Sequence, residues 1–122
     1  MRRARTCYAH FAGGLGVGLA DRLTERGLIV LGEEAGEVTP AGEEFLERLG
    51  VDLSAASAKR RVFCRPCIDW TERRPHIGGA VGAALASRCF DLGWVERQSQ
   101  GRAVTVTPAG ERAFEELFGV RL

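Results

Sequence analysis

Excess charge of either sign is missing from this chain, and so is any long apolar run. Its 17 Lys and Arg meet 16 Asp and Glu, a net charge of +1 over 122 residues. A balance this even gives no global argument for nucleic acid or a membrane surface as partner. No apolar run approaches the roughly 20 residues needed to cross a bilayer. Met1-Arg2-Arg3 and the apolar residues 11–20 have the texture of a secretory leader, but residues 77–86 repeat that texture inside the chain, where no leader stands. Both stretches are therefore read as helices of the fold, and the chain as cytoplasmic. Catalytic constellations are missing too. There is no serine nucleophile motif, no phosphate loop and no spaced carboxylate pair on one face. Gly13-Gly14-Leu15-Gly16-Val17-Gly18 has the glycines of a dinucleotide loop. It lies within a helical pattern and follows no strand, so it lacks the required context. The chain does not read as an enzyme. Its four cysteines are expected to be thiols or ligands before disulfides in a cytoplasmic setting.

What the chain does have is a repeat. Val38-Thr39-Pro40-Ala41-Gly42-Glu43 returns as Val106-Thr107-Pro108-Ala109-Gly110-Glu111. Upstream, residues 10–30 match 76–96 without a gap: His10 with His76, Gly13 with Gly79, Gly16 with Gly82, Leu19 with Leu85, Arg22 with Arg88 and Gly27 with Gly93. Downstream, Leu49-Gly50-Val51 returns as Leu117, Gly119 and Val120 after one inserted residue. A short chain that repeats over most of its length is one domain made of two copies of one unit.

Each unit reads as helix, strand, strand, helix. Phe11, Leu15, Leu19 and Leu23 follow helical spacing, as do Ile77, Val81, Leu85, Cys89 and Leu92. Pro75 is read as opening the second of these helices. Gly27 and Gly93 end them where a left-handed residue is wanted. Two short strands form a wing, and Thr39-Pro40 and Thr107-Pro108 start the closing helices with a cap and a first-turn proline. The expected class is α+β, mainly helical: a tandem duplicated, winged-helix-like pair of units related by a pseudo-twofold. Unit 1 spans about residues 5–53 and unit 2 about residues 75–122. A helical connector, interrupted at Pro66, spans 54–74. Gly14 and Gly18 in one long helix, Gly78 and Gly82 in the other, are expected to let the two helices cross closely; helix-on-strand packing is the alternative use of such small residues.

Charge is uneven locally. Asp21, Glu25, Glu33, Glu34, Glu37, Glu43, Glu44 and Glu47 make the first unit a poor surface for phosphate. Lys59, Arg60, Arg61, Arg65, Arg73 and Arg74 make the connector basic and a candidate phosphate surface, although a mixed-charge linker is the commoner explanation. Arg60, Arg61, Arg97 and Arg102 are the candidate phosphate contacts.

Cysteine and histidine are the reactive candidates. Cys7-x-x-His10 and Cys64-x-x-Cys67 each have the spacing of a metal-ligand pair, and together they make a Cys₃His set for zinc or another soft divalent metal. The repeat suggests a second arrangement. Cys7 aligns with Cys67, with six extra residues before the glycine helix resumes, so the two are expected as symmetry mates near the pseudo-axis, as a thiol pair, a disulfide or two metal ligands. Against both stands the ordinary role of buried cysteine as a small apolar group. Cys89, on an apolar stripe, is read as core. His10 and His76 are read as opening the long helices, as caps before ligands.

The residues Arg5-Thr6-Cys7-Tyr8-x-His10-x-Ala12-Gly13, Leu15-Gly16-Val17, the two Thr-Pro-Ala-Gly segments and Cys67-x-Asp69-Trp70-Thr71-Glu72-Arg73-Arg74-x-His76-x-Gly78 together resemble the C-terminal half of a group of ArsR-type winged-helix transcription regulators. The resemblance covers nearly the whole chain. It implies a regulatory half for effector sensing, dimerisation or both, following a separate N-terminal DNA-binding domain that this chain lacks. It marks Cys7, Tyr8, His10, Cys67, Asp69, Trp70, Arg73, Arg74 and His76 as candidates. Ala9 stands where the group carries aspartate, and Cys64 and Pro66 depart from the pattern, which favours Cys7 and Cys67 with the histidines over a Cys₃His set. The expectation is a homodimer. The competing readings are direct DNA binding through the two wings and a purely structural dimerisation module.

Overall fold

A hairpin, a helix, a second hairpin and a closing helix follow one another twice along this chain. The computed structural model describes residues 5–7, 10–33, 35–54, 64–69, 74–98 and 103–121. The first series is β1 (Arg5–Cys7), β2 (His10–Ala12), α1 (Gly13–Glu25), β3 (Ile29–Leu31), β4 (Gly36–Val38) and α2 (Pro40–Leu49). The second is β5 (Arg65–Asp69), β6 (Arg74–Gly78), α3 (Gly79–Asp91), β7 (Val95–Arg97), β8 (Val104–Val106) and α4 (Pro108–Ala113), which continues as a π turn over Phe114–Phe118. Among the described residues, the strands pair as four antiparallel hairpins. The class is α+β.

Two expectations give way here. The long helices begin at Gly13 and Gly79, later than their apolar periodicity suggests. His10, Phe11, His76, Ile77 and Pro75 belong to strands. The cause is a sharp strand-to-helix turn at Gly13 (φ 71°) and Gly79 (φ 75°), a backbone that glycine adopts freely. The connector also departs from a continuous helix. Residues 53–54 are helical, but Arg65–Asp69 is a strand paired to β6, with Pro66 opposite Ile77. Residues 55–63 and 70–73 of the connector lie outside the described residues.

The Thr-Pro-Ala-Gly segment works identically in both places. The Thr39 hydroxyl accepts from the Gly42 N–H at 3.1 Å and donates to the Gly27 carbonyl at 2.7 Å. The Thr107 hydroxyl accepts from the Gly110 N–H at 3.0 Å and donates to the Gly93 carbonyl at 2.7 Å. One hydroxyl thus caps the new helix and ties it to the end of the preceding one. Pro40 and Pro108 occupy the first turn, where a missing N–H costs nothing. Replacing Thr39 or Thr107 by alanine is expected to cost about 1–2 kcal/mol each, the worth of an N-cap. Urea midpoints measure it, and serine at either place should recover most of the loss.

Gly27 (φ 69°) and Gly93 (φ 72°) end α1 and α3 in the left-handed conformation. Leu28 N–H then reaches back to the Leu23 carbonyl at 2.9 Å, and Trp94 N–H to the Cys89 carbonyl at 3.0 Å, the hydrogen bond that closes a Schellman end. The last helix carries the one-residue insertion. Phe118 has no counterpart between Leu49 and Gly50. The chain absorbs it by widening one turn to π geometry before ending at Gly119 (φ 71°), as α2 ends at Gly50 (φ 93°). Phe118 is fully buried and meets Phe45 of α2 edge to face, 5.5 Å between ring centres.

The halves interlock. The main contact of α1 is with β6, and that of α3 is with β2. Each long helix therefore packs chiefly on the inner strand of the other half's hairpin, the alternative use of the glycine-rich faces. Both helices and the strands before them line one small cavity of about 10 Å³ with equivalent residues: Phe11 and Ile77 from the strands, Gly16 and Gly82, Leu19 and Leu85 from the helices. Gly18 serves another neighbour, since a methyl group there would lie 3.0 Å from the Val120 side chain. Arginines close the helix ends across the halves. Arg88 Nε of α3 donates to the Leu49 carbonyl at 2.8 Å, and Arg26 Nη1 donates to the Leu117 carbonyl at 2.6 Å. A guanidinium at a helix C-terminus satisfies an orphan carbonyl and complements the helix dipole.

Candidate functional site

The two hairpins that precede the long helices hold the cysteine and histidine candidates. In the first, Arg5 pairs with Ala12, Thr6 with Phe11 and Cys7 with His10. In the second, Arg65 pairs with Gly78, Pro66 with Ile77, Cys67 with His76, Ile68 with Pro75 and Asp69 with Arg74. Each hairpin thus sets one cysteine directly opposite one histidine, at the same distance from its helix. Directly opposite residues of an antiparallel pair share one face. The register aligns Cys7 with Cys67 and accounts for the six extra residues: they lengthen the second hairpin beyond its Cys–His pair. Cys7-x-x-His10 is thus a cross-strand pair at the end of a hairpin, not one turn of a helix. The spacing alone gave no sign of this, because the glycine that ends β2 also suits a helical pattern.

The inner strands β2 and β6 lie against each other. Phe11 and Ile77, one residue along from the histidines, are buried at 4% and 5% exposure and line the cavity between α1 and α3. In the register of the second hairpin, Asp69 pairs with Arg74 two positions beyond Cys67 and His76. Tyr8, Trp70 and Arg73 lie outside the described residues.

The remaining cysteines are core. Cys64 is 2% exposed and Cys89 fully buried. The Cys64 carbonyl accepts from the Gly36 N–H at 2.9 Å, which fastens the connector to the β3–β4 hairpin. Burial pushes the Cys64 thiol up to about 11. It pushes Cys89 up to about 12, with Arg88 beside it pulling weakly the other way. Both are protonated at neutral pH and poor metal ligands in that form. Among the described residues, no group of three or more His, Cys, Asp or Glu stands close enough to hold a metal ion; the side chains of Cys7, His10 and His76 are not among those described.

Of the candidate phosphate contacts, Arg97 is described, and Arg60, Arg61 and Arg102 are not. The Arg97 guanidinium stacks 4.6 Å from the Phe90 ring centre. It borders an open groove of about 360 Å³ with Ala83, Ser87 and Asp91. The corresponding groove of the first half, about 390 Å³, lies between α1 and β3, with Asp21, Thr24 and the exposed Val30 at its edge. The sequence gave no signal for these grooves. Glu33 and Glu37 on the β3–β4 hairpin are exposed, as are Glu25 on α1 and Asp91 on α3. Arg22 is paired with Glu25 at 2.7 Å. Among the described residues, no helix is long and apolar enough to cross a membrane.

No family model and no solved structure matches the chain. It is similar to YdfF of Bacillus subtilis (strain 168), which is named an uncharacterized HTH-type transcriptional regulator. The two are 41% identical over 119 residues, 98% of this chain and 53% of YdfF. The chain spans about half the length of that relative.

Proposed function

We propose that this chain is the regulatory half of an ArsR-like bacterial transcription regulator, built from two winged-helix-like units related by a pseudo-twofold. It senses an effector in a cytoplasmic homodimer and is not an enzyme. DNA is contacted by a separate N-terminal winged-helix domain. The observation that carries the reading is the 41% identity with a transcriptional regulator over nearly the whole of this chain and about half of that protein.

The surface chemistry favours regulation over direct DNA contact. In a DNA-reading winged helix, the helix before the wing presents arginine, asparagine or glutamine to base edges. Here α1 exposes Arg22 and Glu25 as an ion pair, and α3 exposes Ser87 and Asp91. Arg26 and Arg88 are engaged at helix ends. The first wing is acidic. Burial of both halves in one interlocked core supports a role in transmitting a signal between them.

Two measurements test the proposal. Deleting the gene is expected to change transcription from a small set of promoters, and an unchanged transcript profile under every effector tried would remove the regulatory reading. The purified chain is expected to show no salt-sensitive shift of those promoter fragments. A shift that weakens steeply between low and moderate salt would transfer the DNA contact to this chain.

A further inference from the structure

We propose that two copies of this chain join along the open edge of β3, strand against antiparallel strand, so that their β3–β4 hairpins become one sheet. This rests on the homodimeric reading above and gives that homodimer its interface.

The backbone shows which edge is open. Thr39 N–H donates to the Leu28 carbonyl at 3.0 Å, and Gly32 N–H to the Ala35 carbonyl at 2.7 Å. Bonded pairs alternate along an antiparallel ladder, so Val30 and Glu37 are the bonded pair between these two. The N–H and C=O groups of Ile29 and Leu31 therefore point away from β4. Among the described residues, β3 pairs with β4 alone. The outer edge of β4 is closed, because its Gly36 N–H donates to the Cys64 carbonyl at 2.9 Å. The groove of about 390 Å³ follows the open edge of β3. Ile29, Val30 and Leu31, from both faces of the strand, line it with Ala20, Asp21 and Thr24 of α1, and no described residue of β4 does. At its rim Val30 is 55% exposed.

The chemistry of the edge selects a second copy as its occupant. A twofold axis through Val30 sets Ile29 of each copy opposite Leu31 of the other as bonded pairs, with Val30 opposite Val30 between them. The exposed valines then cover each other at the closer spacing of a pair without hydrogen bonds, where apolar cross-strand contacts stabilise a sheet. The same register brings the exposed Glu33 of each copy to Gly27 of the other, beside the exposed Arg26. Opposite charges thus meet at both ends of the join. Arg26 spends Nη1 on the Leu117 carbonyl and keeps further N–H groups for a carboxylate. The second half supplies the contrast. β7 has the same ladder, with Thr107 N–H on the Trp94 carbonyl and Gln98 N–H on the Ala103 carbonyl. There Glu96 stands in the place of Val30, and the Arg97 guanidinium lies over Phe90. Two copies joined at β7 would set Glu96 against Glu96. Charge on an edge strand blunts it against pairing, and β3, which reads Ile29-Val30-Leu31, carries none.

The test is sedimentation equilibrium of the full chain with its thiols kept reduced. The expected result for the wild type is a dimer. Val30→Glu and Val30→Lys should each weaken association roughly tenfold or more, and an equimolar mixture of the two should recover it, because opposite charges then face each other across the axis. Circular dichroism should be unchanged in both, since the side chain is exposed and the repeat itself carries glutamate at the equivalent place. Glu96→Lys should leave association as it is. A wild-type dimer that Val30→Glu does not weaken would overturn this interface and leave the homodimer to another surface. So would a mixture of the two charged variants that stays as weakly associated as either alone. A wild-type chain that stays monomeric would overturn the interface and the homodimer together. A deletion strain without any transcriptional change would sink the regulatory reading and leave sedimentation to decide the interface.

Discussion

Gly42→Ala and Gly110→Ala are each expected to destabilise the protein by about 3 kcal/mol or more, the upper range for overpacking a tight contact. A methyl group on Gly42 would stand 1.9 Å from the Leu28 carbonyl oxygen, and one on Gly110 would stand 2.0 Å from the Trp94 carbonyl oxygen. Backbone atoms cannot rotate aside as a side chain can. The closing helix must instead move away from the segment before the hairpin, or that segment must move. Either shift disturbs the bonds that the same carbonyls accept from Thr39 and Thr107, at 3.0 Å from each backbone N–H. Gly27 and Gly93 provide the comparison. A methyl group there meets nothing within 4 Å, so alanine costs only the left-handed conformation, about 1–2 kcal/mol. Denaturant unfolding of the four variants should therefore give two clearly separated pairs, with near-equal losses inside each pair. A Gly42→Ala protein no less stable than Gly27→Ala would show that close approach is not why glycine stands in Thr-Pro-Ala-Gly.

The expected equality within each pair draws on what was most legible in the sequence. Thr39 and Thr107 cap as their positions suggest, and the proline-started helices and the left-handed Gly27 and Gly93 stand where the pattern puts them. These signals are local, a few residues long, and each has a single mechanical reading. The starts of α1 and α3 were not legible. Phe11 and Leu15, or Ile77 and Val81, are four apart and satisfy a helical period whether or not the first of each is helical. The turn at Gly13 and Gly79 depends on a backbone angle that composition does not reveal. The same ambiguity turned Arg65–Asp69 into part of a helix, because Leu53, Ala56, Arg60, Phe63, Cys67 and Trp70 fall at three- and four-residue intervals. Strand pairing is non-local: Pro66 becomes a strand residue only because Ile77 lies opposite it. Of the candidate site, the equivalence of Cys7 and Cys67 was readable from the repeat. That each faces a histidine across a hairpin was not, since the six extra residues hide the symmetry of the second pair.

Alkaline pH should weaken the protein steeply, and the buried thiols are the reason. The ordinary thiol value of 9.0 applies to the unfolded chain, while burial raises Cys64 to about 11 and Cys89 to about 12 in the folded one. Below pH 9 both states keep both protons, and the stabilisation is fully present. As pH rises past 9 the unfolded chain releases protons that the folded chain retains. Stability then falls by up to about 1.4 kcal/mol per pH unit for each thiol. The Cys64 contribution ends near pH 11 and that of Cys89 near pH 12. Between pH 8 and pH 10.5 the two thiols together should remove about 4 kcal/mol, a large part of the 5–15 kcal/mol that holds an ordinary domain. The background is low. Lys59 is the only lysine and Tyr8 the only tyrosine, and the arginines stay charged throughout. Urea midpoints at half-unit steps across this range measure the slope. Cys64→Ala with Cys89→Ala should flatten it, although the double variant starts from a lower stability at pH 8. The same burial should shield both thiols from a disulfide reagent at pH 8 until the chain unfolds, because the thiolate is the attacking form. A wild-type profile that stays level up to pH 10.5 would mean that neither thiol is held protonated by the core.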